Sequence, residues 1–247
     1  MPRIIGIIPA RYASTRFPAK ALADVDGKSM IQRVYEQTKK AKSLAQVVIA
    51  TDHELIFDHV KNFSDDVCMT RESHVSGTDR CFEAFRKQQS NYDYVINIQG
   101  DEPFIQPEQI DLLASLLNGE TEIATLVKKI TQADQLTSPN TVKVVFSTAK
   151  LALYFSRSPI PHLRNLPEDQ WLENHTFYKH IGMYAYRTDI LEKLTMLPQS
   201  VLEKAESLEQ LRWLENGFKI KVSETTQETI GIDTPDDLKK ALALFKS

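Results

Sequence analysis

The sequence predicts an α/β fold: a single Rossmann-like, mostly parallel sheet flanked by helices. Short apolar runs such as Arg3 to Pro9 and Gln46 to Ala50 fit strands buried on both faces. These runs alternate with amphipathic helical stretches, the pattern of parallel strands joined by crossover helices. The 247 residues are 42% hydrophobic, enough for one large core. No repeat or linker interrupts them, so one domain is expected over 1–247, with an inserted lobe over residues 150–200.

The elements follow in order. After the first strand, Ser29 to Lys42 reads as a helix with Met30, Ile31, Val34, Tyr35, Thr38 and Ala41 on one stripe. Ser29 and Gln32 give it a capping-box pattern. Gln46 to Ala50 is a strand, His53 to Asn62 a helix and Asp66 to Met69 a short strand. Thr78 to Gln89 is a helix, Tyr92 to Ile98 a strand and Pro107 to Leu117 a helix. Beyond residue 120 the pattern shifts to strands, at Glu122 to Lys129, Thr141 to Ser147 and Leu151 to Phe155. Ser156 to Thr176 has no clear period, the mark of a functional or disordered stretch. Phe177 to Arg187 is a long strand on which positions 178, 180, 182, 184 and 186 share a face. Ser207 to Asn216 is a helix, Phe218 to Val222 a strand and Glu228 to Ile232 another. In the last helix Thr234 is the N-cap, Pro235 sits at N1, and Leu238, Ala241, Leu242 and Phe245 face inward.

Composition excludes several functions. No run approaches the 18 or so apolar residues of a membrane span. The N-terminal apolar run lacks a cleavage site and reads as a strand, not a signal peptide, so a cytoplasmic location is expected. Two cysteines, Cys68 and Cys81, cannot build a disulfide framework or a four-ligand zinc site. A net charge of −3 argues against a nucleic-acid binder. Glycine numbers only eight, and neither GxGxxG nor GxxxxGK[ST] occurs. The charge is unevenly spread: residues 1–42 carry +6 and the remainder −9. A basic opening on an acidic chain could bind a small anion there.

The turn after the first strand, Pro9 to Lys20, concentrates Arg11, Arg16 and Lys20 with the hydroxyls of Ser14 and Thr15 among small residues. In open α/β sheets ligands lie beyond the carboxyl ends of the strands. Arginine offers a planar fork to phosphate oxygens and lysine a mobile point charge. A solvated surface loop is the plainer alternative. At the end of a later strand, Asn97-Ile98-Gln99-Gly100-Asp101-Glu102-Pro103 places a carboxylate at the same edge. Such a group suits Mg²⁺, which takes one or two carboxylates plus phosphate oxygens and waters, or merely ends a strand. Asp233, before the Thr-Pro-Asp-Asp helix start, is a possible partner. His74 to Arg80 carries Ser76-Gly77-Thr78, which could supply polar contacts to a base or simply cap a helix.

The segments PARYASTRFPAK, ATDHE, HVSGTDR, INIQGDEP, YFSR, KHIGMYAYR, LEQLR and GIDTPDDL stand in that order over nearly the whole chain. Together they resemble the 3-deoxy-manno-octulosonate (Kdo) cytidylyltransferases of lipopolysaccharide assembly. The resemblance implies a CTP-dependent nucleotidyltransferase in which the anomeric hydroxyl of Kdo attacks the α-phosphorus and pyrophosphate leaves. It implies CTP contacts from Ala10, Arg11, Ser14, Arg16, Lys20, Ser76, Gly77, Gln99 and Asp101, with Ala10, Ser76 and Gly77 near the cytosine. It implies Mg²⁺ on Asp101 and Asp233, and catalytic roles for Arg11, Lys20, Asp101 and Asp233. It places the sugar acid near Arg80, Arg157, His180, Tyr184, Glu209 and Gln210, and implies a homodimer with FYKHIGMYAYR in its interface. The competing readings are a sialic-acid or 8-amino-Kdo cytidylyltransferase and a nucleotide sensor without turnover. The chain departs from the family at Ala19, usually Gly, at Ala21 and Ser29, often Pro, and at Asp79, often Glu. Alanine at 19 demands negative φ or strain.

Overall fold

A computed structural model describes residues 2–13 and 17–245; the side chains of Leu244 and Phe245 lie outside it. Ser14, Arg16 and the inward side chain expected at Phe245 therefore fall outside the described residues.

The chain opens with β1 (Ile4–Ala10), whose isoleucines 4, 5, 7 and 8 are all buried. A strand apolar on both faces belongs in the middle of a parallel sheet. Accordingly β1 pairs in parallel with β4 (Gln46–Thr51) on one side and β6 (Tyr94–Asn97) on the other. A small hairpin, β2 (Asp24–Val25) and β3 (Lys28–Ser29), precedes β4, and β5 (Val67–Met69) pairs in parallel beyond it. The sheet is completed by β7 (Ile123–Lys129), β8 (Lys143–Phe146), β9 (Ala152–Ser156), β10 (Tyr178–Arg187) and β11 (Ile220–Glu224). Its main path runs β11-β7-β10-β6-β1-β4-β5, with β8 and β9 branching from β10.

Helices cover both faces. α1 (Met30–Thr38), α2 (Glu54–Lys61) and α4 (Pro107–Ala114) pack Ile31, Val34, Ile56, Val60, Ile110 and Leu113 against Ile4 and Ile8. On the other face α3 (Gly77–Arg86) places Cys81 and Ala84 against Ile5 and Ile7. The remaining helices are α5 (Ala133–Thr137), α6 (Trp171–Asn174), α7 (Thr188–Thr195), α8 (Val201–Glu206), α9 (Glu209–Glu215) and α10 (Pro235–Phe245). The buried stripe expected on the first helix is present from Met30 to Thr38, where the helix ends, short of the expected Lys42; Ala41 is buried in the turn beyond it. Ser29 caps it by accepting from the Gln32 N–H, but the Gln32 side chain turns to Glu36, so the reciprocal half of the capping box is missing.

Several expectations are corrected. The long strand β10 is antiparallel to both its main-path neighbours, a direction that residue alternation cannot reveal. It carries an irregularity between Ile181 and Tyr184, yet His180, Tyr184 and Tyr186 keep to one face. Phe177, Ile181, Met183, Tyr184 and Tyr186 are buried core residues, leaving Tyr178 to His180 only partly exposed. Glu228 to Ile232 is not a strand. Its apolar residues instead join Val25, Met30 and Ala241 in a small separate core. The helices α5, α7 and α8 arise where the sequence reading named none. For α8 the signal was legible: Ser200 and Glu203 form a full capping box. The stretch after β9 is organised around Trp171, which stacks on Phe177 and packs with Ile130 and Leu136.

Candidate functional site

The parallel strands β1, β4, β5 and β6 all end at one edge, and a cleft of about 370 Å³ opens there. In β1 the last residue is Ala10, and Arg11 follows, exposed and without a hydrogen bond or ion pair among the described residues. The loop closes when the Ala19 N–H donates to the Tyr12 carbonyl at 3.2 Å. Ala19 itself adopts φ 54° and ψ 28°, in the left-handed region. Of the two outcomes expected for an alanine here, the chain takes the strained one. That conformation turns the chain into a short 3-10 helix, Lys20–Leu22, and aims Lys20 back at the cleft.

Gly100 explains how the second segment comes so close. A Cβ there would lie 2.6 Å from the Pro9 carbonyl oxygen. Only glycine lets the turn after β6 press against the end of β1. Asp101 follows, and its carbonyl accepts from the Ile232 N–H at 3.0 Å, which draws the distant Asp233 segment to it. Asp237 steadies that segment, accepting from the backbone N–H groups of Asp233 and Thr234 and from the Thr234 hydroxyl. These donors hold the Asp237 carboxyl below its ordinary range.

Lys20 Nζ lies 2.7 Å from Asp101 Oδ2 and 3.3 Å from Asp233 Oδ1. Two carboxylates within reach of one ammonium are close enough to share a single cation. The pair also keeps exposed oxygens, since the Asp101 and Asp233 side chains are 30% and 48% accessible. Two carboxylates open to a ligand suit Mg²⁺ with phosphate oxygens and waters completing its shell. No group of three or more His, Cys, Asp or Glu able to hold a metal occurs among the described residues. Next to Asp101, burial and the neighbouring carboxylate push Glu102 up to about 8.

The third wall is the start of α3. Ser76 caps it, accepting from the Asp79 N–H at 3.1 Å. Gly77 is its first residue, so the helix presents unpaired N–H groups at the cleft, a favourable place for an anion or polar ring. Gln99 also lines the cleft and donates to the Gly182 carbonyl.

Thus Ala10, Arg11, Lys20, Ser76, Gly77, Arg80, Gln99, Asp101 and Asp233 are gathered around one cleft. Sequence reasoning passed over Pro9, Ala21, His74, Val75 and Gly100, which line it too, although four of them lie inside segments already singled out. The expected sugar residues are less closely gathered. Arg80 lines the cleft but its guanidinium is already committed, to Asp52 at 2.7 Å and Thr70 at 2.6 Å. The side chain of Arg157 donates to the carbonyls of Pro139, Glu206 and Ser207. The His180 ring packs, half-buried, between Phe155 and Tyr184 and meets the Thr125 hydroxyl at 2.9 Å. Burial lowers it to about 3. Tyr184 pairs across the strands with Asn97, and its hydroxyl and Asn97 Oδ1 are both buried without a hydrogen-bond partner among the described residues. Glu209 accepts from Thr78 at 2.8 Å and pairs with Arg212, while burial raises its carboxyl. Gln210 is buried. Glu209 and Arg212 line a second cavity of about 420 Å³ that shares Val75 and Ser76 with the first.

Known proteins share much of this sequence and its frame. Residues 5–222 match the family described as Cytidylyltransferase. A protein of Parabacteroides distasonis named 3-deoxy-manno-octulosonate cytidylyltransferase is 58% identical over 250 residues, covering 99% of each chain. A Bacteroides thetaiotaomicron protein of the same name is 57% identical, again over 99% of each. A solved CMP:2-keto-3-deoxy-manno-octonic acid synthetase complexed with CTP superposes with a TM-score of 0.91 at 43% identity, covering 99% of this chain and 98% of that one.

Proposed function

The chain belongs to the 3-deoxy-manno-octulosonate cytidylyltransferases, and on that premise we propose that it transfers CMP from CTP to Kdo, releasing pyrophosphate, for lipopolysaccharide assembly. The observation that carries the assignment to this site is the convergence of Lys20 on Asp101 and Asp233 at the mouth of the cleft. CTP lies with its base toward Ala10, Ser76 and Gly77 and its triphosphate toward Arg11 and Lys20. That the structural relative was solved with CTP supports CTP as the nucleotide.

The anomeric oxygen of the sugar forms the new bond to the α-phosphorus as the bond to the β-phosphate bridging oxygen breaks in line. The hydroxyl proton is lost to solvent. Holding the reactants in that line supplies much of the acceleration. Arg11 and Lys20 neutralise the departing pyrophosphate; a cation ~4 Å from a phosphate charge gains ~4 kcal/mol before desolvation, at an effective dielectric near 20. Asp101 and Asp233 would hold Mg²⁺, which when bound neutralises triphosphate charge as well.

The sugar acid is assigned to the cavity beyond Ser76. Glu209 and Arg212 line it, a carboxylate for sugar hydroxyls and a guanidinium for a sugar carboxylate. Arg157, His180 and Gln210 support that region. The homodimer would use the open groove beside β8 and β10, walled by Phe146, Ile160, Pro161 and Leu172. A cytoplasmic site of action is part of the same proposal; no helix among the described residues is long and apolar enough to cross a membrane.

Pyrophosphate release with CTP and Mg²⁺ across Kdo, 8-amino-Kdo and a sialic acid tests the assignment. Kdo is expected to give the highest kcat/KM. CTP binding without pyrophosphate release for any of the three would leave a nucleotide sensor in its place.

A further inference from the structure

The ATDHE segment runs over the end of β4, and no role in catalysis accounts for it. Because Thr51 of β4 stands beside Ala10 of β1 in parallel register, Asp52 emerges next to the start of the phosphate loop. Its side chain is only 7% exposed. One carboxylate oxygen accepts from the Tyr12 backbone N–H at 3.2 Å, and the other accepts from Arg80 at 2.7 Å. Arg80, 4% exposed, also donates to the Thr70 hydroxyl and sits one turn into α3, whose N-terminus forms the nucleoside wall. The next residue reinforces the same contact: the His53 ring stacks on the Tyr12 ring at 3.9 Å and 15°.

We propose that Asp52 is a positioning residue that ties the phosphate loop to the helix carrying the nucleoside contacts. This rests on the CTP reading of the cleft. The two walls must be spaced to meet one ligand at both ends, and a buried carboxylate hydrogen-bonded to each wall sets that spacing. The same pairing spends the Arg80 charge within the protein, so Arg80 shapes the cleft rather than acting as a free phosphate cation. An ion pair this buried is a costly way to gain stability alone. Its geometry instead adds to the packing of α3 on β1 a polar link between the loop after β1 and the first turn of α3.

The predicted signature separates ligands that span both walls from those that meet one. Asp52→Asn keeps the volume but presents an acceptor to only one of the two donors. The KM for CTP is expected to rise about tenfold with kcat within about threefold, as for lost positioning of a spanning ligand. Inhibition by CMP, which lacks the β- and γ-phosphates, is expected to stay within about twofold. A second variant avoids the buried charge. His53→Asn keeps the cap on the Leu55 N–H but removes the ring from Tyr12. It is expected to raise the CTP KM about threefold with CMP inhibition unchanged. Equal weakening of CTP and CMP, or no change in either despite a lower Tm, would overturn the proposal. Failure of the unaltered chain to bind CTP would overturn the underlying reading of the cleft instead.

Discussion

Lys20 and Asp101 are 81 positions apart, yet Lys20 Nζ lies 2.7 Å from Asp101 Oδ2. The contact exists because β1 and β6 are parallel neighbours that end at the same edge. The left-handed turn at Ala19 and the glycine at 100 then bring their following loops together. The Asp233 segment joins through the Ile232 N–H, which donates to the Asp101 carbonyl, and through the ion pair of Asp233 with Lys20. The basic opening of the chain and its acidic remainder thereby meet at one point.

Removing the ammonium should weaken CTP without unfolding the chain. Lys20→Met is expected to raise the CTP KM by roughly 10- to 100-fold, the worth of a hydrogen bond to a charged group. Steady-state kinetics at varied CTP measures it, alongside a Tm showing that the fold persists.

Ala19 holds a conformation that costs an L-residue about 1–2 kcal/mol. Glycine would relieve that strain but lose some entropy on folding. Ala19→Gly is therefore expected to gain about 0.5–1 kcal/mol, or ~1–4 °C in Tm for a chain of this size. Calorimetry reads the shift, and a fall in Tm would show the turn to be unstrained.

Gly100 and Gly77 should respond differently to one added methyl. At Gly100 the new Cβ meets the Pro9 carbonyl oxygen at 2.6 Å, so the backbone must move and carry Asp101 with it. Gly100→Ala is expected to lower kcat/KM by at least about tenfold. At Gly77 the nearest atoms are 3.5 Å and 3.6 Å away, an ordinary contact. Gly77→Ala should keep Tm within ~2 °C.

His180 predicts an acid sensitivity. Burial lowers it to about 3, whereas an unfolded histidine binds its proton near 6.5. Between those values the unfolded state holds more protons, so stability falls as pH drops below about 6.5. A whole proton's difference would set a limit of about 1.4 kcal/mol per pH unit in that window. Urea unfolding at pH 7, 6 and 5 should show a steeper loss for the unaltered chain than for His180→Gln. Parallel curves would place the titrating group elsewhere.

Much of this was legible from the residues. The double-sided apolar character of Ile4 to Ile8 marks a central strand, and the loop that follows it carries the cations of the cleft. The motif around Asp101 marks the facing wall. Strand direction was not legible, because alternation in Phe177 to Arg187 is the same in either sense. Nor was the fate of Ile230 and Ile232, whose apolar pattern suits a strand but serves a small core beside Val25 and Met30. The pairing of Arg80 was hidden because its partner, Asp52, lies 28 residues away on another strand's end.

Pyrophosphate release from CTP and Kdo in the presence of Mg²⁺, measured for the unaltered chain and for Asp101→Asn and Asp233→Asn, addresses the carboxylate pair most directly. Each variant is expected to lose roughly 100-fold or more in turnover, the scale of removing a group that stabilises charge in the transition state. Near-unaltered pyrophosphate release from either variant would contradict the role given to Asp101 and Asp233.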